Sequence, residues 1–97
     1  MILTGGFNVY PRVVEEAIYT HEAVQEAAVL GVPDDHYGQS VKAFVALKDG
    51  AELSEKALID HIRPQLAKYE VPKYVEFMES LPKTMIGKIS KKDLVTS

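Results

Sequence analysis

No cysteine occurs in the 97 residues, which excludes disulfide bridges, thiolate zinc sites and a thiol nucleophile, and is compatible with a reducing cytosol. A marked charge excess is also lacking. The balance of 11 basic against 14 acidic residues leaves a net charge of -3, so there is no global electrostatic footprint for nucleic acid or an anionic membrane. Any phosphate binding must therefore be local. Histidine is scarce, and His21, His36 and His61 lie far apart without ligand spacing, which reads them as surface or turn residues and predicts no metal site. No apolar run approaches a transmembrane span, and no basic segment leads into an apolar signal core. The expectation is a soluble, cytoplasmic chain without internal repeats, of a length that fits one domain with a single modest core.

What is present divides into short, well-punctuated elements. Met1 to Thr4 is mostly apolar and leads into Gly5-Gly6, a pair that either turns sharply or lets another molecule approach the backbone; both readings stay open at this level. Phe7 to Tyr10 runs extended into Pro11, which suits the first position of a helix. Val14, Ala17 and Ile18 make its buried stripe, Glu15 and Glu16 put negative charge near its start, and it ends near Thr20 and His21. Residues 27–32 form a short apolar run closed by Pro33-Asp34-Asp35, the pattern of a strand buried on both faces. After the polar turn through Tyr37 to Ser40, Val41, Ala43, Val45 and Leu47 alternate with mostly polar positions, so a second strand pairs antiparallel with the first. Ser54 is a good helix cap, with Leu53 before it as a staple onto Leu58. The stripe Leu58, Ile59, Ile62 and Leu66 continues this helix until Pro64 kinks or breaks it near Arg63. Val71-Pro72 returns the chain to extended geometry, and residues 74–78 make a third strand with Val75 and Phe77 on one side. Ser90 caps the start of a terminal helix. The fold class expected is α+β: a small, roughly three-stranded sheet with an antiparallel pair, flanked by helices.

The stretch Leu81-Pro82-Lys83-Thr84-Met85-Ile86-Gly87-Lys88-Ile89 carries the chemistry. Pro82 fixes one φ, Gly87 permits backbone angles that other residues avoid, and Lys88 follows at once, so a cation sits on a shaped loop. An ammonium on a flexible stem suits a carboxylate or phosphate oxygen whose charge grows during a reaction. Taken alone, the same residues describe a solvated basic loop. They are not a Walker A loop, because no glycine stands at the required place before Gly87-Lys88, and Ile89 replaces the metal-binding Ser or Thr.

Four motifs occur in order: Gly5-Gly6-Phe7-Asn8-Val9-Tyr10-Pro11, Gly31-Val32-Pro33-Asp34, Leu66-Ala67-Lys68-Tyr69-Glu70-Val71-Pro72-Lys73, and Leu81-Pro82-Lys83-Thr84 with Gly87-Lys88. Together they resemble the small C-terminal domain of the AMP-forming acyl-CoA synthetases, the adenylating superfamily that includes luciferases and peptide-synthetase adenylation domains. Each motif alone is weak; the four in register cover nearly the whole chain. The resemblance is greatest to medium- and long-chain fatty acyl ligases.

That resemblance implies a two-step reaction. A carboxylate attacks the α-phosphate of ATP, accompanied by Mg2+, to give an acyl-adenylate and pyrophosphate; the thiol of coenzyme A then displaces AMP. The lysine matching Lys88 reaches into the main active site during adenylation. The loop matching Gly5, Gly6 and Phe7 lines the pantetheine path of coenzyme A once the small domain has rotated for thioester formation. Tyr69 and Lys73 are carried over as contacts to the nucleotide end of coenzyme A, by stacking and by phosphate pairing. Their plainer readings are a core aromatic and a solvated charge.

Some of the family pattern is missing. Val13 stands where the family has glutamate, while Glu15 keeps the second acidic position, which reads as a change in helix-start electrostatics and not in chemistry. The charged hinge, the phosphate loop, the ribose-binding acid and the acyl pocket belong to a large N-terminal domain with no counterpart in residues 1–97. The chain is therefore expected to be a C-terminal lid domain, inactive alone, whose partners are that large domain and a carboxylic, preferentially fatty, acid. Rival expectations are a ligase that loads a carrier protein, a ligase for aryl or dicarboxylic acids, and a stand-alone binding module without catalysis.

Overall fold

Two long strands dominate because their side chains are apolar on both faces. The computed structural model describes residues 1–95, and in it β3 (Val24–Asp34) and β4 (Gly38–Leu47) pair antiparallel from Val24↔Leu47 to Asp34↔Gly38. Val29, Val41, Ala43 and Val45 face one core, while Ala28, Phe44 and Ala46 face another. Burial on both faces explains why Phe44 breaks the simple alternation of β4. The register slips between Val24 and Glu26, leaving Gln25 as the extra residue of a bulge. The bulge lets Val24 and Ala27 both reach the first core.

The first core is closed by α1 (Pro11–Tyr19) and α2 (Glu55–Ile62). Pro11 opens α1 as expected, and Val14, Ala17 and Ile18 are its buried stripe. Ser54 caps α2 by accepting the Ala57 N–H at 3.1 Å, and Leu58 and Ile62 are fully buried. At Pro64 the helix gives way to a 3-10 turn over Arg63–Gln65, the predicted break. α1 also protects the outer edge of β3. The Ala27 N–H donates to the Tyr19 hydroxyl at 2.9 Å and the Val29 N–H to the Glu15 carboxylate at 2.8 Å, so these two strand donors are occupied by side chains.

The sheet has five strands, where the sequence predicts about three. The two unforeseen ones are β1 (Ile2–Thr4) and β2 (Phe7–Val9), joined as a hairpin by Gly5 and Gly6. Each is only three residues long, too short for a periodic signal. They form because Gly5 and Gly6 both take positive φ, +56° and +86°, the requirement of a two-residue hairpin turn whose twist matches its strands. β1 continues onto the start of β4 through Thr4↔Gly38. The third predicted strand is β5 (Tyr74–Met78), and it runs parallel to β4. As an edge strand it leaves Phe77 exposed and Val75 half-buried, so these two share a face without both entering the core. Leu81 and Leu94 of α3 (Lys91–Val95) cover the second core. No helix among the described residues is long and apolar enough to cross a membrane.

Candidate functional site

Two features carry the residues singled out from the sequence, and they are separate. The first is a groove of about 300 Å³ between the β1–β2 turn and the segment entering β5. Gly5, Phe7, Tyr69 and Lys73 all line it, so one place receives four of the five residues assigned to coenzyme A; Gly6 is the neighbouring turn residue. The sequence treats these residues as two distant motifs. They meet because a 3-10 turn over Lys68–Glu70 carries Tyr69 onto the hairpin, where its ring stacks on Phe7. The turn is held at its start by the Glu70 carboxylate, which accepts the Ala67 N–H at 2.7 Å. Tyr69 is thus an exposed aromatic, not a core one, and one face of its ring is already covered.

Lys73 does not stand as a free solvated charge. Its ammonium is 3.0 Å from the Asp34 carboxylate and 5.5 Å from the centre of the Tyr74 ring. The Asp34 side chain is 5% exposed and also accepts from the Ser40 hydroxyl and from the N–H groups of His36 and Tyr37. The Ser40 bond, then the Lys73 bond and the two backbone donors, hold the Asp34 carboxyl well below its ordinary 3.8. The bond that Lys73 donates to Asp34 raises Lys73 above its ordinary 10.5, against the opposing effect of desolvation. The groove therefore presents a fixed ammonium beside aromatic rings, with Lys68 as a second cation on its lining.

Sequence reasoning missed Tyr37 and Ser40 as parts of this groove, and Asp34 as the carboxylate that holds Ser40 and Lys73. Tyr37 reads as a turn residue, yet its carbonyl accepts the Gly5 N–H at 3.0 Å and its ring lies 3.3 Å from where a Gly5 Cβ would sit. The only signal was Asp34 closing the Gly-Val-Pro-Asp motif, which does not name its partners.

The second feature is the Lys88 hairpin. Lys83 and Ile89 pair as an antiparallel bridge, the Thr84 N–H donates to the Lys88 carbonyl at 2.7 Å, and the Ser90 N–H donates to the Pro82 carbonyl at 2.7 Å. The Gly87 N–H donates to the Thr84 carbonyl at 2.9 Å, and Gly87 has φ +87°, so a three-residue loop ends on a left-handed glycine. Among the described residues nothing lies within 4 Å of a Cβ added at Gly87, so the glycine serves the backbone angle and not a close approach. Met85 and Ile86 at the tip are fully and largely exposed, and Lys88 is exposed. Its ammonium has no partner among the described residues.

Two of the histidines come together in the fold. His21 and His61, apart in sequence, meet edge-on with ring centroids 4.8 Å apart. The Thr20 hydroxyl donates to the Ala17 carbonyl, so at the 2.9 Å contact with Thr20 the His61 Nε2 is the donor. These are turn-fastening contacts at the end of α1, and no group of three or more potential metal ligands occurs among the described residues.

Comparison with known proteins places this architecture. Residues 13–88 match the family model for the AMP-binding enzyme C-terminal domain. The chain is 53% identical over 95 residues to a long-chain-fatty-acid–CoA ligase of Bacillus subtilis, covering 98% of this chain and 17% of that protein. Among solved structures, the Brucella canis acyl-CoA synthetase superposes with a TM-score of 0.88 at 41% identity, over 96% of this chain and 18% of the other. The amide bond synthetase McbA of Marinactinospora thermotolerans gives 0.92 at 40%, over 98% and 19%. The chain thus spans about one sixth of the length of the relatives it matches. With the family model covering most of its residues, the chain belongs to the AMP-binding enzyme C-terminal domain family.

Proposed function

We propose that the chain is the C-terminal lid of an AMP-forming acyl-CoA ligase acting on a fatty acid, with Lys88 as the adenylation lysine and the Gly5–Phe7 turn as a wall of the coenzyme A path. The observation that carries this reading is the state of Lys88: an exposed ammonium without a partner among the described residues, on a hairpin whose base is bonded. Such a cation is available to an anion supplied by another domain. In adenylation it would bridge the carboxylate and the α-phosphate as charge shifts between them, and the long lysine stem lets it follow both.

The groove fits the other half of the reaction. Gly5 and Gly6 narrow the hairpin turn to bare backbone, which suits passage of a thiol arm, and Lys73 and Lys68 suit the phosphates at its nucleotide end. Phe7 already occupies one face of Tyr69, so an adenine ring would use the other face or displace Phe7. Magnesium accompanies ATP, and in this reading its ligands come from the large domain. The lean toward fatty acids rests on relatives such as the Bacillus subtilis long-chain-fatty-acid–CoA ligase. The likeness to an amide bond synthetase supports a second reading, in which the acyl-adenylate passes to an amine instead of a thiol.

The test is to assay both half-reactions separately in the full-length enzyme that carries this chain. In Lys88→Ala, pyrophosphate exchange should fall by about 10²–10³-fold, the usual effect of losing one transition-state contact, while thioester formation from preformed acyl-adenylate survives. Survival of both steps would reduce Lys88 to a loop charge. Offering coenzyme A and an amine as competing acceptors separates the two readings.

A further inference from the structure

We infer that Glu26 is a positioning residue for Lys88: its carboxylate fixes the entry leg of the hairpin and so sets where the ammonium stands during adenylation. The inference rests on Lys88 being the adenylation lysine. Its own basis is a set of contacts that neither the motifs nor the family match assigns.

Glu26 lies on β3 just after the bulge, on the face of Ala28, beneath Leu81. Its Oε2 pairs with the Lys83 ammonium, and its Oε1 accepts the Leu81 N–H at 3.4 Å. Lys83 also donates to the Leu81 carbonyl at 2.9 Å, so carboxylate, ammonium and backbone form one closed unit at the root of the hairpin. Lys83 is bridged to Ile89, the residue after Lys88, and the Thr84 N–H holds the Lys88 carbonyl. A shift of the Lys83 leg therefore moves Lys88 directly. The exit leg has its own anchor, because the Lys91 ammonium lies 2.8 Å from the Glu15 carboxylate on α1.

A surface ion pair is commonly worth little. This one differs in three respects. The Glu26 side chain is 18% exposed, both of its oxygens are engaged, and its partners are the root of a hairpin that otherwise projects into solvent. The tip has no packing of its own to locate it, since Met85 and Ile86 are exposed. Its position comes from its root, and a transition-state contact tolerates little error in position.

The experiment uses the full-length enzyme, with Glu26→Gln, Lys83→Gln, their double variant, Lys83→Arg, and Lys88→Ala as reference. Glutamine at 26 keeps an oxygen for the Leu81 N–H while removing the ion pair. Adenylation kcat is expected to fall about 10- to 100-fold in each single variant, with KM for ATP and acid little changed, as for a misplaced group. Thioester formation from preformed acyl-adenylate should hold, the double variant should be no worse than the singles, and Lys83→Arg should recover most of the activity. Unchanged adenylation in both single variants overturns the inference. So does a parallel loss of both half-reactions, which would mark Glu26 as a folding residue only. If Lys88→Ala leaves adenylation intact, the reading of Lys88 itself fails; if only Lys88→Ala collapses it, Lys88 stands and the positioning role of Glu26 is gone.

Discussion

The Phe7 ring lies flat on the Tyr69 ring, with centroids 4.4 Å apart and planes 11° from parallel. This contact ties the glycine hairpin to the segment entering β5, and both rings remain exposed at its rim, Phe7 at 53% and Tyr69 at 40%. The geometry is that of a stacked pair, and its partners come from motifs that the sequence presents as unrelated.

The stack should be measurable as a coupling. Phe7→Ala, Tyr69→Ala and the double variant, compared by urea denaturation of the chain, should give an interaction of about 0.5–1.5 kcal/mol. Tyr69→Phe should retain it. A coupling near zero would mean that the rings lie together without holding the hairpin.

Gly6 separates the structural from the functional role of the turn. Its φ of +86° disfavours a side chain, but no atom of the described residues lies within 4 Å of an added Cβ. Gly6→Asn, which tolerates a left-handed backbone, should therefore leave thermal stability nearly unchanged, whereas Gly6→Val should destabilise by about 1–2 kcal/mol. If the turn lines the thiol path, Gly6→Asn in the full-length enzyme should depress thioester formation while adenylation persists. Full retention of both steps would leave Gly6 a turn residue only.

Asp34 and Lys73 set opposite limits on pH. Because the folded Asp34 carboxyl sits below its ordinary 3.8, its bonds stabilise the fold above that pH, and the contribution is lost as pH falls from 3.8 toward the lower folded value. Lys73 is raised above 10.5, so its contribution is complete below 10.5 and is lost as pH rises beyond it. Urea midpoints should show Asp34→Asn less stable than wild type at pH 7, with the gap closing toward pH 2. A gap that stays constant across that range would show that the Asp34 charge contributes nothing.

Several elements were legible because their signals are local. The Val14, Ala17 and Ile18 stripe specifies α1, Ser54 and Pro64 bound α2, and the apolar runs of β3 and β4 with a polar turn between them specify an antiparallel pair. Each depends on residues within a turn or a strand repeat of one another, where backbone geometry acts directly. Lys88 on a glycine-shaped loop was likewise readable, since the glycine and the lysine are adjacent.

What the chain could not declare locally was which elements meet. β1 and β2 are too short to announce themselves, and β5 gives no hint that it runs parallel to β4. The pairs Phe7 with Tyr69, Asp34 with Lys73, Glu26 with Lys83 and His21 with His61 all join segments distant in sequence. Local chemistry along the chain was enough for the helices, the paired strands, the lysine-bearing loop and the resemblance to an adenylating family. The groove, the shared carboxylate at Asp34 and the mount under Lys88 emerge only on folding, because those contacts exist only after burial on both faces of one sheet has chosen the partners.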